Sequence, residues 1–115
     1  MCYTLNSNKI TLSNGYSLDF EYPIKEVLIV KDVIIITVES PVGIIYSNNV
    51  FAIRLNGDFL WRIGEVQLYD WGSIDCPYNG AIVNEENELV LFNWCDTAVV
   101  VNPYTGEVIR TYQTK

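Results

Sequence analysis

Short runs rich in Val, Ile, Leu, Tyr, Phe and Thr recur along the whole chain, and each is closed by a cluster of Asn, Gly, Asp or Pro. Such runs are too short for helices and carry no sustained period of 3.6 residues, so they read as β-strands separated by turns. The pattern predicts strands over 9–12, 16–20, 25–30, 33–39, 49–55, 58–63, 81–84, 88–94, 98–102 and 107–112, and no helix longer than a turn. Asn14-Gly15 and Asn56-Gly57 are two-residue hairpin signals, because a type I′ turn needs positive φ at both central positions. Lys31-Asp32, 85–87 and 103–106 read as further tight turns. Strands joined in this way are antiparallel neighbours, and the predicted fold is an all-β meander.

The meander repeats. One copy spans about residues 23–64 and a second about 77–113. In each, a proline precedes a strand, a polar turn and a second strand, followed by a hairpin closed at glycine. Each copy builds one four-stranded antiparallel sheet, so the chain is expected to form one all-β domain over 1–115: two blade-like sheets, stacked or sandwiched, plus an N-terminal hairpin.

The residues at the glycine turns carry a family likeness. Ala52, Gly57 and Trp61 in the first copy, and Asn102, Thr105 and Gly106 in the second, fall where the tryptophan-docking repeat of quinoprotein-type β-propellers has its Ala-x-Asp-x-x-Thr-Gly turn and following Trp. The chain resembles about two blades of that family. Both copies depart from the pattern: the first has Arg54 at the usual Asp and a turn one residue short, and the second has Arg110 at the usual Trp. A propeller typically closes with four or more blades. The resemblance therefore implies either a compact stack of sheets or part of a closed oligomer, and a monomer or a homodimer is expected.

Charge adds a second asymmetry. The formal net charge is −7, and no Lys or Arg occurs between Ile63 and Ile109, where Glu65, Asp70, Asp75, Glu85, Glu86, Glu88, Asp96 and Glu107 lie. The rest of the chain holds seven basic and six acidic residues. A field of this sign repels nucleic acid and anionic membrane and accelerates the capture of a basic protein. Acidity also keeps an apolar protein soluble, but that need does not explain why the charge is segregated.

Composition narrows the chemistry. The chain has no histidine, which removes the usual general base, the Ser-His-Asp and Cys-His pairings and most zinc sites. Neither a phosphate-binding glycine loop nor a calcium-loop pattern occurs. No catalytic residue, metal or cofactor is expected, and the chain is read as a non-enzyme. Cys2, Cys76 and Cys95 are odd in number, with no basic start and apolar run like a secretory signal. They read as reduced thiols in a cytoplasmic protein, with a Cys76–Cys95 bridge as the alternative in an oxidising compartment.

The segment QLYDWGSIDCPYNG joins the two copies and brings aromatics together with carboxylates. Loop aromatics either plug the end of a sheet or anchor a partner, since they offer large contact area at low entropic cost. Trp61 reads as core, whereas Trp94, at a strand end beside Cys95 and Asp96, reads as partly exposed. The expected partner-binding set is Tyr69, Asp70, Trp71, Asp75, Tyr78, Glu85, Glu86, Glu88, Trp94 and Asp96. The expected function is an acidic inhibitor or immunity protein that caps a basic toxin such as a nuclease. A propeller-derived scaffold and a carbohydrate-binding domain are the alternatives.

Overall fold

A computed structural model describes residues 3–64 and 76–113. Among these residues the chain is all-β, with eleven strands in three antiparallel sheets. The N-terminal sheet comprises β1 (Tyr3–Asn6), β2 (Lys9–Leu12) and β3 (Ser17–Asp19). The central sheet holds β4 (Ile24–Val30), β5 (Val33–Val38), β6 (Val50–Arg54) and β7 (Phe59–Arg62). The C-terminal sheet holds β8 (Tyr78–Val83), β9 (Leu89–Asn93), β10 (Thr97–Val101) and β11 (Val108–Gln113). All three follow chain order strand by strand, so every connection within a sheet is a hairpin. The two four-stranded sheets match the expected blades. The expected N-terminal hairpin gains β1 as a third strand.

The sheets stack as three layers. Alternate residues of the central sheet face opposite ways, as the period of 2 requires. Ile34, Ile36, Val38 and Ile53 pack with Ile10 and Leu12 of the N-terminal sheet. Val33, Ile35, Val50 and Ala52 pack with Leu89, Leu91, Val99 and Val101 of the C-terminal sheet. Buried on both faces, β5 reads as an unbroken apolar run, VIIITV. The outer face of the N-terminal sheet pairs Thr4 with Thr11, Asn6 with Lys9 and Thr11 with Ser17. A polar face of this kind caps the stack on that side.

Trp61 supplies the joint between the central and C-terminal layers. It is buried, its Nε1–H donates to the Pro103 carbonyl at 2.8 Å, and its ring lies so close over Gly106 that a Cβ there would stand 2.6 Å from Cδ2. Gly106 has φ +76°, so the turn needs glycine both for its backbone and for the space. A related contact joins the first two layers: Tyr16 lies over Gly57, and the Asn14 side chain donates to the Asn56 carbonyl at 3.0 Å. Aromatic-on-glycine docking thus recurs from layer to layer. At the position in the last layer that matches Trp61 stands Arg110, which makes a bidentate pair with Glu88 at 2.7 and 2.8 Å instead.

Two further ties fix the layers. Asn49, fully buried, donates to the Val38 and Tyr78 carbonyls at 2.6 and 2.8 Å and accepts the Tyr78 N–H at 2.7 Å, bridging the central and C-terminal sheets. Glu26 accepts the Ala81 N–H at 2.7 Å, satisfying a backbone donor on the edge strand β8. Cys76 and Cys95 form a disulfide, with Cα atoms 6.0 Å apart, that ties the entry of β8 to the β9–β10 turn. The expectation of reduced thiols is corrected here for this pair. The odd cysteine count had argued for free thiols, but the hairpin geometry brings these two together and leaves Cys2 as the odd one.

Candidate functional site

Antiparallel hairpins put alternate turns at opposite ends of the stack. One end gathers the turns at 12–16, 31–32, 54–58, 84–88 and 102–107. They are linked by Asn14 to Asn56 and by Trp61 to Pro103. The opposite end gathers the long β5–β6 loop, the entry to β8 and the β9–β10 turn. Asn49 to Tyr78, the Trp94 N–H to the Pro77 carbonyl, and Cys76 to Cys95 link these. With strands of about five residues, the two ends stand about 17 Å apart.

This geometry divides the residues expected to bind a partner. Glu85, Glu86 and Glu88 lie on the β8–β9 turn at the first end, where Asn84 Oδ1 accepts the N–H groups of Glu86 and Glu88. Asn87 takes a positive φ of 64° there, as the tight turn demands. Glu88 is engaged by Arg110, whose hydrogen bonds, together with one from Asn84, hold its carboxyl far below the usual range, at about 2. Its charge is therefore spent within the fold, while Glu85, Glu86 and Glu107 face solvent on the same end. Trp94 and Asp96 lie at the opposite end, on the β9–β10 turn, where the Trp94 side chain is 53% exposed.

Tyr78 is corrected. It is buried at 4% exposure in the core between the central and C-terminal sheets, and burial pushes its phenol up to about 12. Its backbone is held by Asn49, so it has no surface to offer a partner. Tyr69, Asp70, Trp71 and Asp75 lie outside the described residues.

Charge follows the layers. In the C-terminal sheet and its turns, Glu85, Glu86, Glu88, Asp96 and Glu107 stand against Arg110 alone. The central sheet balances Lys25, Lys31, Arg54 and Arg62 against Glu26, Asp32, Glu39 and Asp58. Its Arg54 already pairs with Asp32 at 3.4 Å. Among the described residues, the carboxylates of the acidic half of the sequence lie on the C-terminal layer.

A second surface was not anticipated from sequence. The β5–β6 loop carries Pro41-Val42-Gly43-Ile44-Ile45, of which Val42, Ile44 and Ile45 are exposed to solvent. It occupies the same end as Trp94. Its signal is an apolar PVGII run that does not fit either neighbouring strand, set between the turn formers Ser40 and Ser47-Asn48-Asn49. Among the described residues no group of three or more His, Cys, Asp or Glu side chains is placed to hold a metal ion, and no helix is long and apolar enough to cross a membrane.

The profile of one protein family, described as Domain of unknown function (DUF7957), matches residues 1–113. The chain belongs to this family. In this DUF7957 member the match extends over all three layers, so the N-terminal sheet belongs to the family unit along with the two blade-like sheets. No curated protein matches the chain.

Proposed function

We propose that the protein is a binding module that captures a basic protein partner through its acidic C-terminal layer, acting as an inhibitor or immunity protein against a toxin such as a nuclease. The observation that carries this reading is the layering of charge: the turns of the C-terminal sheet hold five carboxylates, four of them (Glu85, Glu86, Glu88 and Glu107) at one end, against one arginine, and that arginine is bound to Glu88. Carboxylates fixed on a rigid turn mimic the phosphates that a nuclease is built to hold, and they raise the encounter rate without reorganisation. The stack binds rather than catalyses on this reading, and it needs no cofactor.

Layer-to-layer docking of Trp61 and Tyr16 favours a second reading, a propeller-derived scaffold that assembles as an oligomer. Ring closure would require the polar outer face of the N-terminal sheet to accept a further blade, and Arg110 to do the work of the docking tryptophan. Both features favour the self-contained inhibitor. Solution mass separates the two: a monomer is expected, and a dimer or ring whose mass is unaffected by salt would support the scaffold.

The cytoplasmic setting expected from sequence belongs to this proposal, and the Cys76–Cys95 pair tests it, since such bonds persist in oxidising compartments. Protein alkylated in intact source cells should show those thiols free if it is cytoplasmic. The functional test is the Glu85→Lys/Glu86→Lys/Glu107→Lys variant, which should keep its circular dichroism spectrum and lose capture of a basic partner. Retained capture would refute the reading.

A further inference from the structure

The C-terminal sheet is apolar on both faces. Its inner face gives Leu89, Leu91, Val99 and Val101 to the core shared with the central sheet. Because side chains alternate along a strand, the outer face carries Val90 and Phe92 of β9 beside Val100 and Ala98 of β10. Ile82 of β8 stands opposite Val90, while Arg110 and Tyr112 of β11 stand opposite Val100 and Ala98. Val90, Ala98 and Val100 form a core cluster of their own at 0% exposure, with Phe92 packed against them.

Among the described residues no element packs on that side of the stack. Neighbours within the sheet do not replace one, because strand side chains stand upright and flank each other without forming a roof. The Arg110 side chain reaches across β10 to Glu88 and shields one end of the face beside Val100, but it leaves Ala98 and Val90 without cover. The solvent exclusion is also narrow: Ile82 keeps 47% exposure and Tyr112 39%, on either side of the sealed residues. A cover over β9 and β10 alone fits a single length of chain and not a fourth sheet.

We propose that this face is the docking site of the chain's own segment 65–75, EVQLYDWGSID. The occupant follows from reach and composition. Residues 1–2 precede β1, two layers away at about 10 Å per layer, and residues 114–115 follow β11, two strand spacings of about 4.8 Å from β9; two residues reach only about 7 Å. Loop 40–46 is apolar, but its Val42 is 103% exposed and covers nothing. Segment 65–75 starts after Gly64, just beyond β7, and ends at Cys76, which the disulfide holds to the turn joining β9 and β10, the two sealed strands. Its eleven residues can span about 36 Å, against about 17 Å for the length of a five-residue strand, so it can run along the face and return. It brings Val66, Leu68, Tyr69, Trp71 and Ile74 to a face that is apolar and not polar like the outer side of the N-terminal sheet. This docking decides between the two roles open to the aromatics of the segment: they close the fold and are not held out to a partner. It does not rest on the basic-partner reading above, and it adds Glu65, Asp70 and Asp75 to the C-terminal layer.

The test is nuclear Overhauser spectroscopy on the full chain with its disulfide intact and its valine methyl groups labelled. The Val90 and Val100 methyls should give cross-peaks to side-chain protons of residues 65–75 within the same molecule. Absence of all such cross-peaks overturns the proposal. Cross-peaks found only between differently labelled copies in a mixed sample overturn it as well, assigning the face to a second copy. A second measurement reads the cover itself. In Cys2→Ser/Ala98→Cys, the thiol introduced at position 98 should react with iodoacetamide at least about tenfold more slowly than in the same protein with residues 66–74 replaced by Gly and Ser. Equal protection in both proteins, with the replacement folded by circular dichroism, shows that something else covers the face and overturns the proposal. A thiol that reacts in the parent as fast as in urea shows that nothing covers it, with the same consequence. Should the replacement fail to fold, the cross-peaks decide, since they need no variant.

Discussion

Replacing Gly106 with alanine perturbs the joint between the central and C-terminal layers in a way that can be worked through in advance. The added Cβ would stand 2.6 Å from Cδ2, 2.7 Å from Cγ and 2.9 Å from Cε3 of Trp61, in contact with a rigid ring and not with the end of a flexible chain. Trp61 must therefore move, losing its packing and its bond to the Pro103 carbonyl. The positive φ adds a separate cost of about 1 kcal/mol for any residue with a Cβ. Together these give a loss of about 3 kcal/mol, a large share of the stability of a domain this size. Gly15→Ala is the control, since Gly15 has φ +91° with open space around its Cβ position and should cost only the backbone term of about 1 kcal/mol. Trp61→Ala alone should cost about 4 kcal/mol. Because alanine at 61 removes the ring that Gly106→Ala displaces, the double variant should lose about 2 kcal/mol less than the sum of the singles. Urea unfolding followed by far-ultraviolet circular dichroism measures all four proteins without relying on Trp61 fluorescence. Single-variant costs that add to within about 0.5 kcal/mol would refute the docking of Trp61 on Gly106.

Further outcomes are expected for the buried Asn49, the disulfide and two titrating side chains. Asn49→Ala leaves the Tyr78 N–H without its buried acceptor and two carbonyls without their donor, and should cost about 3 kcal/mol in the same urea assay. Under denaturing, non-reducing conditions one of the three thiols should react with a chromogenic disulfide reagent, and all three after reduction. Cys76→Ser/Cys95→Ser should lower stability by about 3 kcal/mol, the closure entropy of a loop with sequence separation 19. The Tyr78 phenol titrates at about 12 in the fold and near its ordinary 10 when unfolded. Stability should then be full below pH 10 and fall by about 1.4 kcal/mol per pH unit between 10 and 12, an effect absent in Tyr78→Phe. Glu88 acts in the opposite direction: its carboxyl is depressed to about 2, so its contribution is present above its ordinary value and is lost as pH falls toward 2.

The strands and their pairing were legible because the local signals agree with the fold. Asn-Gly pairs and alternation of two mark the hairpins, although the expected two-residue type I′ turns are corrected to three-residue loops, 13–15 and 55–57, in which Gly15 and Gly57 but not Asn14 or Asn56 take positive φ; the unbroken run of β5 marks a strand buried on both faces. β1 escaped notice because YTLN is short and mostly exposed, and it is held by pairing with β2 more than by burial. Charge was legible as composition, but its division between two ends was not, since that depends on which turns the hairpins place together. Glu86 and Asp96 are ten residues apart in sequence and lie at opposite ends of the stack. Tyr78 looked like a loop aromatic because its partners, Asn49 and the two-layer core, come from the other copy of the repeat. The PVGII tip resembles a buried strand in sequence, and only the absence of an opposing layer among the described residues leaves it exposed.

The role assigned to the acidic layer is tested most directly by the association rate with the captured partner, measured in stopped flow across a range of ionic strength. For the wild type the rate should fall steeply as salt rises, and the Glu85→Lys/Glu86→Lys/Glu107→Lys variant should associate at least about tenfold more slowly at low salt with a flattened dependence. Equal rates for the two proteins at low salt, with no dependence on ionic strength, would contradict capture by the acidic layer.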